Sequence, residues 1–117
     1  MIEELKRNLD RLSIVHYPKD SGVAIPIQNK FGELEFHELP GDDDILLLSG
    51  EDWHTHSSVE GSLEGIVVLI QNILSGKFLL IREVSASGEI KRRIEPELNE
   101  YLKWLPDGYS YKICNKA

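Results

Sequence analysis

Cysteine, long apolar runs and a secretion signal are all lacking in this sequence. Cys114 is the single cysteine among 117 residues, so an intramolecular disulfide is excluded and nothing favours an oxidising compartment. The apolar run Ile66–Ile70 is far shorter than the roughly 20 residues that a membrane span needs. The stretch Met1–Lys6 lacks the basic-then-apolar pattern of a signal peptide. We therefore expect a cytoplasmic protein with no membrane partner.

Positive charge is also scarce. The sequence has 13 Lys and Arg against 20 Asp and Glu, which gives a net charge of −7 and a pI near 5.0. Nucleic-acid phosphates are bound mainly through Lys and Arg, so we expect no nucleic-acid partner. A negative field favours a cationic partner and raises its encounter rate, although the same charge also serves solubility alone. The Gly61-x-x-x-Gly65 spacing favours close helix packing over phosphate binding.

The length and the hydrophobic pattern predict one α+β domain over residues 1–117. A short amphipathic helix, loosely docked, is predicted from Ile2, Leu5, Leu9 and Leu12. Residues 23–27 alternate as a strand, and Pro26 makes this an edge strand because proline cannot donate to a neighbour. Residues 33–39 alternate strictly, and Ile45–Leu48 is the candidate central strand.

The second half of the chain predicts a long helix, a hairpin, a short helix and a last strand. Ser62 and Gly76 bound the long helix as N-cap and stop residue. Its buried stripe is predicted to include Leu63, Ile66, Val67, Ile70, Ile73 and Leu74, widened by Val68 and Leu69.

The hairpin is predicted to turn at residues 86–88, with positive φ at Gly88 and with Glu83 facing Lys91. The same register places Val84 opposite Ile90 and Leu80 opposite Ile94. Pro96 opens a short helix in its first turn, and residues 109–114 form the last strand.

This order predicts an antiparallel sheet of about five to seven strands with one long helix packed on one face. Short helices are expected near the N- and C-terminal ends of the sequence. The edge strands allow two copies to pair, so a homodimer is compatible with the fold.

Chemistry is indicated at one place, where two histidines follow an apolar strand. Residues i and i+2 of a strand share a face, so His54 and His56 are predicted to project together, with Thr55 opposite. A divalent metal would need a third ligand, for which Glu35, His37, Glu51, Asp52 and Glu60 are candidates. The alternative is that Trp53 and Val59 anchor the loop and both imidazoles hydrogen-bond to neighbouring groups.

The segment Trp53-His54-Thr55-His56 resembles the core of JAMM/MPN metalloprotease motifs. In that family two histidines and an aspartate hold zinc, and an upstream glutamate activates water. This sequence departs from the pattern, since no proline follows His56 and Gly65 stands where the aspartate is needed. A metal-dependent hydrolase or metal-binding protein centred on His54 and His56 is therefore the alternative interpretation.

Acidic residues surround the histidine pair in sequence. Five carboxylates and one aromatic residue are the predicted partner-binding set: Asp42, Asp43, Asp44, Glu51, Asp52 and Trp53. The alternative is that these carboxylates lie in solvated loops, and their spacing does not match an EF-hand calcium loop.

The chain is similar to small acidic immunity proteins that bacteria encode beside polymorphic or contact-dependent toxins. The likeness rests on Ile45–Leu48, Trp53–His56, the helix end Ile73–Lys77 and the hairpin after it. It implies tight stoichiometric binding of a basic toxin domain, with no catalytic residues. We therefore predict a non-enzymatic protein-binding module that needs no cofactor.

Overall fold

The computed structural model describes residues 2–27, 31–39, 45–49 and 53–115, the strand 45–49 by its backbone alone. Three helices and eight strands occur in these ranges. In chain order they are α1 (Ile2–Arg11), β1 (Tyr17–Lys19), β2 (Gly22–Ile27), β3 (Gly32–Glu38), β4 (Ile45–Ser49), β5 (Trp53–His56), α2 (Leu63–Leu74), β6 (Leu79–Val84), β7 (Ile90–Glu95), α3 (Leu98–Trp104) and β8 (Ser110–Ile113).

The strands form two antiparallel sheets. The large sheet has the order β1-β2-β3-β4-β5, and the small sheet has the order β7-β6-β8. The α+β class is as predicted, but the single sheet of five to seven strands under one long helix is wrong. Strand periodicity reports which face of a strand is buried but does not report its neighbours, and here α2 separates the two sets of strands along the chain.

One hydrophobic core joins the two sheets. Alternate residues of β2 and β3 point to the same side, where Ile25, Leu34 and Phe36 are fully buried beneath α1 and α2. From the small sheet, Leu80, Ile94 and Cys114 belong to the same cluster. The backbone N–H of Cys114 donates to the carbonyl of Leu80 at 2.7 Å, which fastens the end of β8 to β6.

The N-terminal helix is firmly docked, which corrects the expectation of loose packing. Leu5 and Leu9 have no exposed surface, and Leu12 packs against the core from just beyond the helix. The backbone N–H of Ile2 also donates to Oε1 of Glu38 at 2.7 Å, so the start of α1 is tied to the end of β3. The spacing identified the buried face but not how deeply it is inserted.

The long helix begins and ends where its cap residues predict. The Oγ of Ser62 accepts the N–H of Gly65 at 3.3 Å, and Gly76 after the helix has φ +83°. Two positions of the predicted stripe are wrong, because Val68 and Leu74 are exposed. Within the described residues no helix is long and apolar enough to cross a membrane.

The hairpin of the small sheet has the predicted register. Glu83 pairs with Lys91, Val84 with Ile90 and Leu80 with Ile94. Ser85 and Glu89 close the three-residue turn by a backbone hydrogen bond of 2.9 Å, and Gly88 has φ +89°. The short third helix starts two residues after Pro96, with Glu97 as N-cap, so the proline precedes the helix and does not occupy its first turn.

The strand that contains Pro26 is not an edge strand, because β1 pairs with its first half. The register joins Tyr17 to Ala24 and Lys19 to Gly22, so β1 ends before it reaches Pro26. Pro26 therefore lies where β2 has a neighbouring strand on one side only. The reason for the prediction, that proline cannot donate a hydrogen bond to a neighbouring strand, still holds at this position. The strand β1 was missed because it is short and contains Pro18, which is typical of an edge position.

Replacing Gly65 by alanine should destabilise the protein. A helical glycine usually gains about 1 kcal/mol when it becomes alanine. A Cβ at Gly65, however, would lie 1.9 Å from the carbonyl oxygen of Glu60, so the backbone must move. We expect Gly65→Ala to lose about 1–3 kcal/mol of unfolding free energy, measured by urea denaturation.

The matched control is Gln71→Ala, an exposed position of the same helix. Its unfolding free energy should change by no more than about 0.5 kcal/mol. A Gly65→Ala variant more stable than the wild type would contradict the close approach of the helix start to residue 60.

Candidate functional site

The two histidines of β5 lie side by side at the edge of the large sheet. Their ring centroids are 5.4 Å apart and the ring planes are almost perpendicular. His54 is exposed and His56 is half-buried. Thr55 points to the other side, is buried, and donates its hydroxyl to Oε2 of Glu60 at 2.8 Å. The i, i+2 spacing predicted this arrangement correctly.

The described residues bring no third metal ligand to this pair, and they contain no group of three or more His, Cys, Asp or Glu side chains that could hold a metal. His37 and His56 both pair with residue 46, so β4 lies between them. The backbones of His37 and His56 are therefore two strand spacings apart, which is about 10 Å. One zinc ion would need a nitrogen atom of each ring at about 2 Å. Glu60 is engaged by Thr55.

The loop after β5 is anchored at one of its two predicted positions. Trp53 is half-buried against the core, as predicted. Val59 is 71% exposed, so its predicted anchoring role is wrong. A turn fixes this segment instead, because the carbonyl of His56 accepts the N–H groups of Val59 and Glu60, each at 3.0 Å.

The predicted acidic partner-binding residues are outside the described ranges. These are Asp42, Asp43, Asp44, Glu51 and Asp52. Of the predicted site, the structure places Trp53, His54 and His56.

A second cluster of functional groups lies between the small sheet and α3, in a cleft of about 360 Å³ that we call the α3 cleft. It combines four charged residues of the sheet, one of them Lys91, with three aromatic rings. Its principal lining residues are Glu83, Arg93, Glu95, Tyr101, Trp104 and Tyr109.

Glu83 is the buried centre of the α3 cleft, with only 3% of its surface exposed. Its Oε2 accepts the hydroxyl of Tyr101 at 2.9 Å and the Nε–H of Arg93 at 3.4 Å. Burial, followed by the hydrogen bond to Glu83, raises the pKa of Tyr101 well above its ordinary value. The hydroxyl therefore stays protonated and keeps donating to the carboxylate.

Glu95 is the carboxylate of the α3 cleft that has capacity for a ligand. Burial raises its pKa, and nearby Arg93 opposes that effect only in part. Within the described part of the chain Glu95 has no hydrogen bond or ion pair. Trp104 is 82% exposed at the end of α3 and lines the same cleft. A carboxylate and an aromatic ring that line one cleft suit a cationic group.

The α3 cleft was not predicted from the sequence. A signal was present. Tyr101 and Trp104 are three residues apart and therefore share a face of the helix, while Glu83 and Glu95 share a face of the predicted hairpin. The missing information was that α3 covers that face of the sheet.

Comparisons with protein-family models, with curated proteins and with solved structures find no match to this chain. The similarity to immunity proteins therefore stays a prediction from the residues that carry it. The geometry of the described residues, and not a relative, must support any proposal on function.

Removing the hydroxyl of Tyr101 should destabilise the protein in a pH-dependent manner. Tyr101→Phe leaves the buried carboxylate of Glu83 with one partner fewer, which costs about 1–3 kcal/mol. Because the folded state raises the pKa of Tyr101, its contribution is present below about pH 10 and is lost as the pH rises further. Urea denaturation at neutral pH and at pH values above about 10 measures this effect. The unfolding free energies of the wild type and of Tyr101→Phe should become more similar as the pH rises.

The matched control is Tyr111→Phe, which removes a hydroxyl from an exposed tyrosine whose ring contacts Tyr101 edge-on at 5.8 Å. This variant should remain close to the wild type at neutral pH. Equal losses in both variants would show that the hydrogen bond to Glu83 is not the stabilising contact.

Proposed function

We propose that this protein is a non-enzymatic binding module for a basic protein, of the immunity type that neutralises a toxin domain. The observation that carries the proposal is the α3 cleft, which is lined by a largely exposed tryptophan and by a carboxylate that has no hydrogen bond or ion pair among the described residues. Isolated exposed tryptophans are unusual on soluble surfaces and are enriched among the residues that dominate binding energy. The net charge of −7 favours a cationic partner over an anionic one.

In this proposal a lysine or arginine side chain of the partner enters the α3 cleft. Its cationic head pairs with Glu95, and its stem or guanidinium plane lies against Trp104. Glu83 is not available for this role, since Tyr101 and Arg93 already occupy it. It holds α3 in place, so that Trp104 and Glu95 are presented together.

The carboxylates predicted from the sequence have a separate role in the proposal. Asp42, Asp43, Asp44, Glu51 and Asp52 add to the negative field that steers a basic partner, which changes the association rate more than the lifetime of the complex. Trp53 is half-buried and contributes little surface. We place the interaction in the cytoplasm, where a lone cysteine stays reduced. Strand edges such as β7 and β8 would allow two copies of the protein to pair.

Capture from the native host tests the proposal. The tagged protein should retain a protein of basic pI in stoichiometric amount, and Trp104→Ala should weaken the measured Kd by about tenfold or more. Glu95→Gln should also weaken binding, and it should leave the free protein at least as stable at neutral pH because a partly buried charge is removed.

Leu102→Ala is the control, since Leu102 is exposed on α3 but does not line the α3 cleft. It should bind like the wild type. Retention of no basic protein, or binding that is indifferent to both Trp104→Ala and Glu95→Gln, would overturn the proposal.

A metal-binding function is the second candidate, and the observation that favours it is the proximity of the two imidazole rings of β5. In this candidate His54 and His56 supply two ligands, and a further ligand comes from residues 51 or 52. Metal analysis of purified wild type beside His54→Ala tests it. A stoichiometric divalent metal lost in His54→Ala supports the candidate, and sub-stoichiometric metal in both proteins removes it.

A further inference from the structure

A cleft larger than the α3 cleft lies where the end of α2 meets the second half of β2. It encloses about 730 Å³, and we call it the α2 cleft. Its principal lining residues are Ile14, Val15, Ile27, Ile73, Leu74 and Leu80. Among the described residues, none lines both this cleft and the α3 cleft. The α2 cleft is therefore a separate feature of the fold.

The α2 cleft lies beside the half of β2 that β1 does not reach. Tyr17, the first residue of β1, pairs with Ala24. Within the described residues no strand pairs with positions 25–27 on this side of β2, and residues 13–15 line the cleft without belonging to a strand. Pro26 disfavours a strand here because it has no N–H to donate. The opening beside β2 thus has a cause in the sequence.

Backbone hydrogen bonds hold the lining of the α2 cleft in place. The N–H of Ile14 donates to the carbonyl of Leu9 at 2.9 Å, which fixes the chain as it leaves α1. Asn115 accepts the N–H of Leu80 at 3.0 Å and donates to the carbonyl of Phe78 at 2.7 Å. A site that is formed before its ligand arrives loses less conformational freedom on binding.

The lining of the α2 cleft is aliphatic from its buried floor to its exposed rim. Ile25, Ile73 and Leu80 are buried, whereas Val15 is 73% exposed and Leu74 is 43% exposed. Leu74 follows the apolar period of α2 although it is not covered by the core, and its position at the cleft accounts for an aliphatic residue there. A ligand that covers this rim removes apolar surface from water, which favours binding.

The α2 cleft has no charged side chain among the described residues that line it, although 28% of the residues in the sequence are charged. A charged ligand would lose its hydration there without gaining an ionic partner. The end of α2, residues 73–76, also lines the cleft. Because the last carbonyl groups of a helix carry a partial negative charge, they disfavour an anionic head group and favour a hydrogen-bond donor.

We infer that the α2 cleft is a binding site for a small uncharged aliphatic molecule whose polar head is a hydroxyl or a primary amide. Small-molecule sites enclose about 300–1,000 Å³ and combine mainly apolar walls with a few polar groups. The aliphatic chain lies against Ile25, Ile73 and Leu80, and the head lies at the end of α2. The hydroxyl of Ser75, which donates to the carbonyl of Asn72 at 3.2 Å, retains lone pairs that accept from the head.

A second protein chain suits the α2 cleft less well than a small molecule does. Of its principal lining residues only Val15 and Leu74 are exposed, and the others are buried or half-buried. A specific protein interface involves about 20–30 residues on each side. The apolar surface here is turned inwards, which is typical of a ligand pocket and not of an interface.

Isothermal titration of the full chain with 1-octanol and with octanoate tests the inference, since the two probes have the same chain length and differ in the charge of the head. We expect saturable one-to-one binding of 1-octanol and binding of octanoate that is weaker by about tenfold. Shorter alcohols should bind more weakly by about fourfold for each methylene removed, because each methylene is buried in the cleft.

Leu74→Lys should weaken the binding of 1-octanol by about tenfold or more, because it places a charge at the aliphatic rim. A cation in the last turn of a helix is compatible with the helix dipole, so the variant should fold. The matched control is Val68→Lys, which changes another exposed aliphatic residue of α2 that does not line the cleft. It should bind 1-octanol like the wild type.

Val15→Asp alters the rim outside any helix and should weaken binding as Leu74→Lys does, so it decides the question if Leu74→Lys does not fold. Lack of saturable 1-octanol binding by the wild type would overturn the inference, as would octanoate binding at least as tight or equal weakening by Val68→Lys. Analytical ultracentrifugation at the titration concentration supplies one more check. A dimer that Leu74→Lys dissociates would show that the α2 cleft is an interface between two copies and would refute the ligand site.

Discussion

A carboxylate buried between two layers fixes the geometry of the small sheet. Glu83 lies on the central strand β6, and its burial is tolerated because Tyr101 and Arg93 donate to it from two different elements. This contact determines where α3 rests on the sheet. The position of α3 in turn decides which charges of the hairpin are covered and which are left at the surface. The α3 cleft follows from that division.

The two faces of the small sheet carry different sets of charged residues. Under α3, Arg93 contacts Glu83 at 3.4 Å, whereas Glu95 has no hydrogen bond or ion pair among the described residues. On the other face Arg82 is in register with Arg92 of β7 and with Lys112 of β8. Three basic residues thus share one register position in a chain whose net charge is −7.

The sequence predicted local structure well and the assembly less well. Short-range backbone geometry determines helix caps and tight turns. The caps at Ser62 and Gly76 and the hairpin turn at Gly88 could therefore be predicted from the local sequence. The partition into two sheets depends on which strands meet, and residues far apart in sequence decide that. The i, i+2 rule placed His54 and His56 together, but only the strand order shows that β4 separates them from His37.

The buried thiol described above gives the small sheet an intrinsic reporter. Cys114 is the single cysteine of the sequence and is 7% exposed at the junction of β8 with the core. An alkylating reagent reaches its sulfur only when β8 detaches from β6, whether or not the remainder of the fold opens. The rate of alkylation therefore measures local opening of β8 from the small sheet, separately from unfolding of the whole protein.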